Sequence, residues 1–220
     1  MPSFGLRALS PSEPSGPPTS PVSLSEISVP ADPFELFRTW FATAREAMIE
    51  PEAMTLATAD ADGRPSARMV LLRGVDARGF VFYTNYESRK GAELSANPKA
   101  ALVLYWASLH RQVRIEGRVA RVSPAESDAY FATRATGSRI SAAASPQSAV
   151  ILNRAQLEQR VRDLAAAHVE LILPRPDHWG GFRVQPEAIE FWQAGEHRLH
   201  DRIRYRGLTD GGWAIERLAP

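Results

Sequence analysis

Three short clusters in this 220-residue chain bring cations, hydroxyls and rings together at spacings that could do chemistry. In Tyr83-Thr84-Asn85 followed by Ser88-Arg89-Lys90, a strand end leads into a helix whose first turn carries Ser, Arg and Lys. Free backbone N–H groups, a hydroxyl and two cations there suit a phosphate. Cations at a helix N-terminus oppose the helix dipole, so without an anion they are unfavourable. In Arg198-Leu199-His200-Asp201-Arg202, read as a strand, Arg198, His200 and Arg202 share one face while Leu199, Asp201 and Ile203 take the other. Two guanidiniums flanking an imidazole repel one another unless something anionic or π-rich lies against them. The plain alternative is a solvated strand face. In Arg68-Met69-Val70-Leu71-Leu72-Arg73 an Arg opens and closes an apolar strand, the two on opposite faces. Its plain alternative is a charged sheet edge.

Other chemistries lack their residues. The chain has no cysteine, which excludes disulfides, thiolate zinc sites and cysteine nucleophiles and is compatible with a reducing cytosol, the compartment we expect. His168, His178, His197 and His200 show no metal-ligand spacing. No Gly-x-Gly-x-x-Gly or P-loop pattern occurs, and Trp179-Gly180-Gly181 reads as a tight bend. With 26 Lys+Arg against 25 Asp+Glu, bulk charge does not suit nucleic acid, so any anion site is local. The expectation is a non-Rossmann site for a phosphorylated, aromatic cofactor.

The elements that must position these residues are legible in outline. Residues 1–30 are Ser/Pro-rich, with few large apolar side chains, and read as a flexible tail that could fold over a site as a lid. They have no apolar segment suited to export, and the apolar run from Ala100 to Leu109 is about half of what a membrane helix needs. Residues 31–220 are expected to form one domain. Asp32-Pro33-Phe34-Glu35 reads as a capping box opening an amphipathic helix through Phe37, Phe41, Ala44 and Met48. Period-two segments follow at Thr55–Thr58, Ser66–Arg73, Gly79–Asn85 and Lys99–Ala107, with a short helix starting near Ser88. From Arg111 to Val122 alternation is clearest, with Val113, Ile115, Gly117 and Val119 on one face. Helices are expected from Ser123 to Arg134 and from Arg154 to His168, then strands at Gly181–Gln185, Ala188–Gln193, Arg198–Tyr205 and Trp213–Leu218. Hairpin-linked strands with helices inserted between groups indicate an α+β domain on an antiparallel barrel or strongly bent sheet.

At this point the sequence resembles a known family, the pyridoxine/pyridoxamine 5′-phosphate oxidases. The likeness rests on Arg68-Met69-Val70-Leu71-Leu72, Phe82-Tyr83-Thr84-Asn85 with Ser88-Arg89-Lys90, Arg111-Gln112-Val113 and Pro146-Gln147-Ser148. It continues through His178-Trp179-Gly180-Gly181-Phe182-Arg183, Glu190-Phe191-Trp192-Gln193, Glu196 to Arg202 and the terminal Glu216-Arg217-Leu218-Ala219-Pro220. The resemblance implies an α+β antiparallel split β-barrel with peripheral helices, binding FMN and acting as a homodimer with active sites at the subunit interface.

By that resemblance, Arg68, Arg89, Lys90 and Ser148 would surround the FMN phosphate, and Met69, Val70, Leu71, Leu72 and Arg73 would line the flavin. Tyr83, Thr84, Gln112, Gln147, Trp192 and Arg202 would complete the cofactor site, some of them from the partner subunit. The substrate phosphate would meet Arg73, Tyr130, Arg134 and Ser138. Arg198 and His200 would lie against the pyridine ring as the catalytic pair, one orienting it and the other assisting proton removal. The cations would then sit where no protein carboxylate pairs them. The implied reaction oxidises pyridoxamine 5′-phosphate or pyridoxine 5′-phosphate to pyridoxal 5′-phosphate, with dioxygen as acceptor and hydrogen peroxide released; neither nucleic acid, membrane nor metal is implied. Departures from the family pattern are Arg73 in place of Lys, Ala135-Thr136-Gly137-Ser138 without a Pro-Arg, Ser141-Ala142-Ala143 in place of Gly-Ala-Trp, and a tail in which Arg7 is followed by Ser10 rather than Tyr. The competing readings are a related split-barrel oxidase acting on a phenazine precursor and a non-catalytic flavin or pyridoxal-phosphate binder.

Overall fold

The computed structural model describes residues 23–167 and 173–220. The expected tail therefore lies largely outside the described residues, as do its lid role, Arg7 with Ser10, and the last residue of the helix expected to end at His168. The first element, α1 (Pro33–Ala47), is capped by Asp32, whose carboxylate accepts from the Phe34 N–H, while Glu35 does not complete the box. Its apolar stripe of Phe34, Leu36, Phe37, Trp40 and Ala44 is buried. Phe37 meets Phe80 edge-on at 4.9 Å, and Trp40 meets Phe191 at 5.3 Å. Each such aromatic pair adds about 0.5–1.5 kcal/mol beyond its burial.

The strands form one curled antiparallel sheet. β1 (Ala53–Ala59) and β2 (Pro65–Leu71) make the expected hairpin, β3 is Gly74–Asp76, β4 Gly79–Asn85, β5 Lys99–Trp106 and β6 Arg111–Arg121. β7 (Trp179–Gln193), β8 (Asp201–Gly207) and β9 (Trp213–Arg217) complete it, in the order β2-β1-β5-β6-β7-β4-β3 with β8 on β7 and β9 on β8. Where two strands were expected, at Gly181–Gln185 and Ala188–Gln193, one 15-residue strand runs through. It changes partner midway: Trp179–Val184 pairs with β4, and Ala188–Gln193 with β8. The break falls at Pro186, which has no N–H to give either neighbour. The register with β6 shifts there, between Glu116 and Gly117, and a Cβ on Gly117 would lie 2.0 Å from the Gln185 carbonyl oxygen. This partner change splits the barrel.

The inner face carries Met54, Leu56, Leu102, Leu104, Val113, Ile115, Val184, Ile189 and Phe191, all buried, as the alternation predicts. The helices around it are α2 (Arg89–Ala96), α3 (Pro124–Thr133), α4 (Thr136–Ala144) and α5 (Arg154–Ala167). Ser123 and Glu126 form the expected reciprocal cap on α3. Neither α4 nor β3 was expected: α4 has no capping side chain and contains Gly137, and it is held by burial of Ile140 and packing on α5. Among the described residues no helix is long and apolar enough to cross a membrane.

Two expectations need correction. Residues 23–30, assigned to the tail, run across β8 and β9. Leu24 is buried, Ser23 and the Leu24 N–H donate to Asp201, and Arg217 pairs with Glu26 at 2.7 Å. Tyr205 donates to the Pro30 carbonyl. Trp179-Gly180-Gly181 is not a bend but the start of β7, where a Cβ on Gly180 would sit 2.1 Å from the Tyr86 hydroxyl.

Candidate active site

The loop after β4 delivers the first cluster as expected: Ser88 caps α2, so Arg89 and Lys90 stand at the helix N-terminus, with no acidic residue in its first turn. Lys90 is only 8% exposed, and its ammonium donates to Thr84 Oγ1, Ser88 Oγ and Gln147 Oε1 at 3.1–3.2 Å. All three acceptors are neutral. Burial, then the charge of Arg68, push the Lys90 pKa down against the weaker pull of Glu93. A buried ammonium without a counter-ion is costly, and an anion brought beside it removes the cost.

The expectation that the neighbouring cations lack carboxylate partners is overturned. Arg68 pairs with Glu93 at 3.0 Å, and Arg89 reaches the same carboxylate at 2.8 Å. Glu93 also accepts from Ser66 and Thr58, whose hydroxyls in turn accept from Arg68. Burial alone would raise its pKa, but the bonds from Ser66, Thr58, Arg89 and Arg68 hold the carboxyl at about 2. Sequence reading missed Glu93, although its i,i+4 spacing from Arg89 was a usable signal. Arg73 and Arg202 are paired too, with Glu52 at 3.4 Å and Glu190 at 2.9 Å.

Lys90 opens into a cleft of about 770 Å³ lined by Met69, Val70, Leu71, Arg73, Tyr83, Thr84, Gln147, Tyr130, Arg134 and Ser138, all of them expected at the site, together with Asn85, named in the first cluster without a role, and Trp179, read only as part of a bend. Leu72 departs from its expected place: it follows the last residue of β2 and is buried in the hydrophobic core. Arg68 does not line the cleft and is held against Glu93. Arg89 and Ser148 line a smaller adjoining cleft that shares Gln147. Also on the cleft, α3 ends in Arg134, whose guanidinium lies 4.7 Å above the Trp179 ring. Its Nη1 is buried without a hydrogen-bond partner. Tyr130 stacks on Tyr83 at 3.9 Å. Small side chains of α4 and its flanks, Ala135, Ser141, Ala142 and Ser145, form one wall.

The remaining candidates lie apart. Gln112, Trp192 and Arg202 stand in register across β6, β7 and β8, and His200 packs on Trp192 at 4.7 Å. The common strand face expected for Arg198, His200 and Arg202 does not form. β8 begins only at Asp201, and a single helical turn precedes it in which His197 and Arg198 are left-handed (φ 50° and 64°). The turn puts Arg198 in solvent, with no ion pair among the described residues, while His200 Nδ1 accepts from the Gly195 N–H. Asp201 does point away, to Arg217 at 2.8 Å. None of these five residues lines the cleft of its own chain.

A curled antiparallel sheet split along one long strand, with a cation-rich cleft beside it, defines a split-barrel protein. Family models described as pyridoxamine 5′-phosphate oxidase and as pyridoxine 5′-phosphate oxidase C-terminal dimerisation region match residues 41–168 and 179–220. The chain belongs to the pyridoxine/pyridoxamine 5′-phosphate oxidase family, and it is an oxidoreductase. Proteins of that name from Paraburkholderia phymatum and Trichormus variabilis are 59% and 54% identical over 199 residues, covering 90% of this chain and 93% of theirs. Among solved structures, PhzG from Burkholderia lata, in complex with tetrahydrophenazine-1-carboxylic acid, aligns with a TM-score of 0.84 at 35% identity over 89% of this chain and 96% of its own. An FMN-binding protein from Nostoc punctiforme shares the fold, with a TM-score of 0.70 at 18% identity over 87% of this chain and all of its own.

Proposed function

We propose that the chain is an FMN-dependent oxidase converting pyridoxamine 5′-phosphate and pyridoxine 5′-phosphate to pyridoxal 5′-phosphate with dioxygen as acceptor, working in the cytoplasm as a homodimer. The observation that carries this reading is one cleft lined by two cationic poles with no carboxylate partner among the described residues: the Lys90 ammonium, bound only to neutral acceptors, and the Arg134 guanidinium, with an unpartnered nitrogen. One phosphate belongs to the cofactor and the other to the substrate. Thr84, Lys90, Gln147 and Ser148 would hold the FMN phosphate, backed by Arg68 and Arg89, and Met69, Val70 and Leu71 would flank the ring system. Arg73, Tyr130, Arg134 and Ser138 would hold the substrate phosphate.

Bound FMN supplies a hydride acceptor and a route for electrons to dioxygen. The chain's own residues stack the two rings and exclude water between them. Gln112, Trp192, Arg198, His200 and Arg202, which do not line the cleft of their own chain, would close the cleft of the partner, a reading supported by the match of residues 179–220 to a dimerisation region. With Nδ1 accepting from Gly195, neutral His200 presents its Nε2–H as a donor, which suits orienting the pyridine ring. Arg198 is then left to face the reacting substituent.

The likeness to PhzG favours a second reading, oxidation of a phenazine precursor, which has no use for the Tyr130–Arg134–Ser138 pole. One assay separates them. FMN-loaded protein is expected to release hydrogen peroxide with pyridoxamine 5′-phosphate and to be a dimer by sedimentation. A flavin-loaded dimer inert towards both phosphorylated vitamers would overturn the proposal.

A further inference from the structure

The residues holding Arg134 are unusual for a half-buried cation. Its guanidinium has no carboxylate partner among the described residues, and burial lowers its pKa. What holds it instead is the face of Trp179, 4.7 Å away, and that indole is itself tightly fixed. Trp179 is 6% exposed. Its ring lies within 12° of parallel to Tyr83 and within 6° of parallel to Tyr130, and Phe131 packs edge-on against it at 5.1 Å. Its backbone N–H donates to Pro176, and its carbonyl accepts from Arg175, which pairs with Asp128 of α3. The same helix carries Tyr130 and ends at Arg134.

The two ways of holding a guanidinium differ in what they leave over. A carboxylate neutralises the charge and occupies the N–H fork; an aromatic face attracts the cation and leaves all five donors unspent. Arg134 lines the cleft, and its buried, unpartnered Nη1 is such an unspent donor. We propose that Trp179 is a specificity-determining positioning residue: its indole presents the Arg134 guanidinium, undischarged, to the substrate phosphate and so sets the preference for phosphorylated over unphosphorylated vitamers. The inference rests on the assignment of this pole to the substrate phosphate.

The test compares flavin-loaded parent, Trp179→Phe and Trp179→Leu in two arms. In the binding arm, pyridoxal 5′-phosphate and pyridoxal are titrated by absorbance. Trp179→Leu is expected to weaken the phosphorylated ligand about tenfold, about 1.4 kcal/mol, within what a desolvated cation–π contact supplies. Pyridoxal should be unaffected, and Trp179→Phe, with its weaker ring quadrupole, should lose about threefold. In the kinetic arm, KM for pyridoxamine 5′-phosphate should rise in the same order, with kcat within twofold of the parent. Equal losses for both ligands, or unchanged discrimination in both variants, would overturn the proposal. If Trp179→Leu fails to fold, Trp179→Phe decides alone: unchanged discrimination refutes, a partial loss supports. A parent that binds pyridoxal 5′-phosphate with this dependence but oxidises neither vitamer would refute the oxidase reading and leave the Trp179 role standing.

Discussion

Replacing Glu93 by Gln keeps the volume of the side chain and removes its charge, at the point where α2 is tied to the β1–β2 hairpin. The carboxylate accepts from Ser66, Thr58, Arg68 and Arg89, and an amide cannot do so: whichever way it turns, its NH₂ faces a donor. The side chain is 5% exposed, whereas Arg89 is 65% exposed, so the Arg68 pair carries most of the effect. Breaking one side of a buried pair costs roughly 3–5 kcal/mol, and losing a charged hydrogen bond about 1.5–3. With Arg68 still held by the two hydroxyls and the Leu56 carbonyl, we expect a loss of about 2–3 kcal/mol at neutral pH. The pH dependence is the sharper test. The folded pKa of about 2 lies below the ordinary 4.5, so the carboxylate's contribution is complete above about pH 4.5 and is lost as pH falls towards 2. Glutamine does not titrate. The gap between parent and variant should therefore close by about 1.4 kcal/mol per pH unit below 4.5. Urea unfolding of the flavin-free proteins, followed by tryptophan fluorescence at neutral pH and near pH 3.5, measures both quantities. A gap that is the same at both would refute the charged network.

Lys90→Met should weaken FMN binding at least tenfold in a fluorescence titration while leaving the fold intact. Because burial depresses the Lys90 pKa, the parent should also lose FMN affinity on the alkaline side before an ordinary lysine would titrate; a flat profile there would contradict it. Gly180→Ala forces a methyl to within 2.1 Å of the Tyr86 hydroxyl and 2.9 Å of Ser127 Oγ, and thermal melts should show a loss of about 1–3 kcal/mol. Asp201→Ala releases Ser23, Leu24 and Arg217 together, so limited proteolysis should open the 23–30 segment while flavin content stays normal. Arg198→Ala should lower kcat/KM for pyridoxamine 5′-phosphate by about tenfold or more, about 1.4 kcal/mol of transition-state stabilisation, with flavin retained. An unchanged value would remove Arg198 from the site.

What the sequence by itself determined was local. The alternation of Val113, Ile115, Gly117 and Val119 is a property of one strand, and Ser123 with Glu126 closes a cap within a single turn, so both are legible from neighbours alone. The Ser88-Arg89-Lys90 helix start is equally local, and it led directly to the cleft. Tertiary structure decided whatever depends on a partner distant in the chain. Pro186 ends a strand by local rules, yet β7 continues through it because its N–H-less position falls where the strand exchanges β4 for β8. Arg68 looks unpaired until α2 packs on the hairpin and lends it Glu93, the carboxylate that Arg89 meets within its own helix. Alternation from Arg198 assumed a strand, but two left-handed residues reset the phase before β8 begins. Trp179 acquires its neighbours Tyr83, Tyr130 and Arg134 only through pairing of β7 with β4 and packing of α3, contacts that no spacing along the chain encodes.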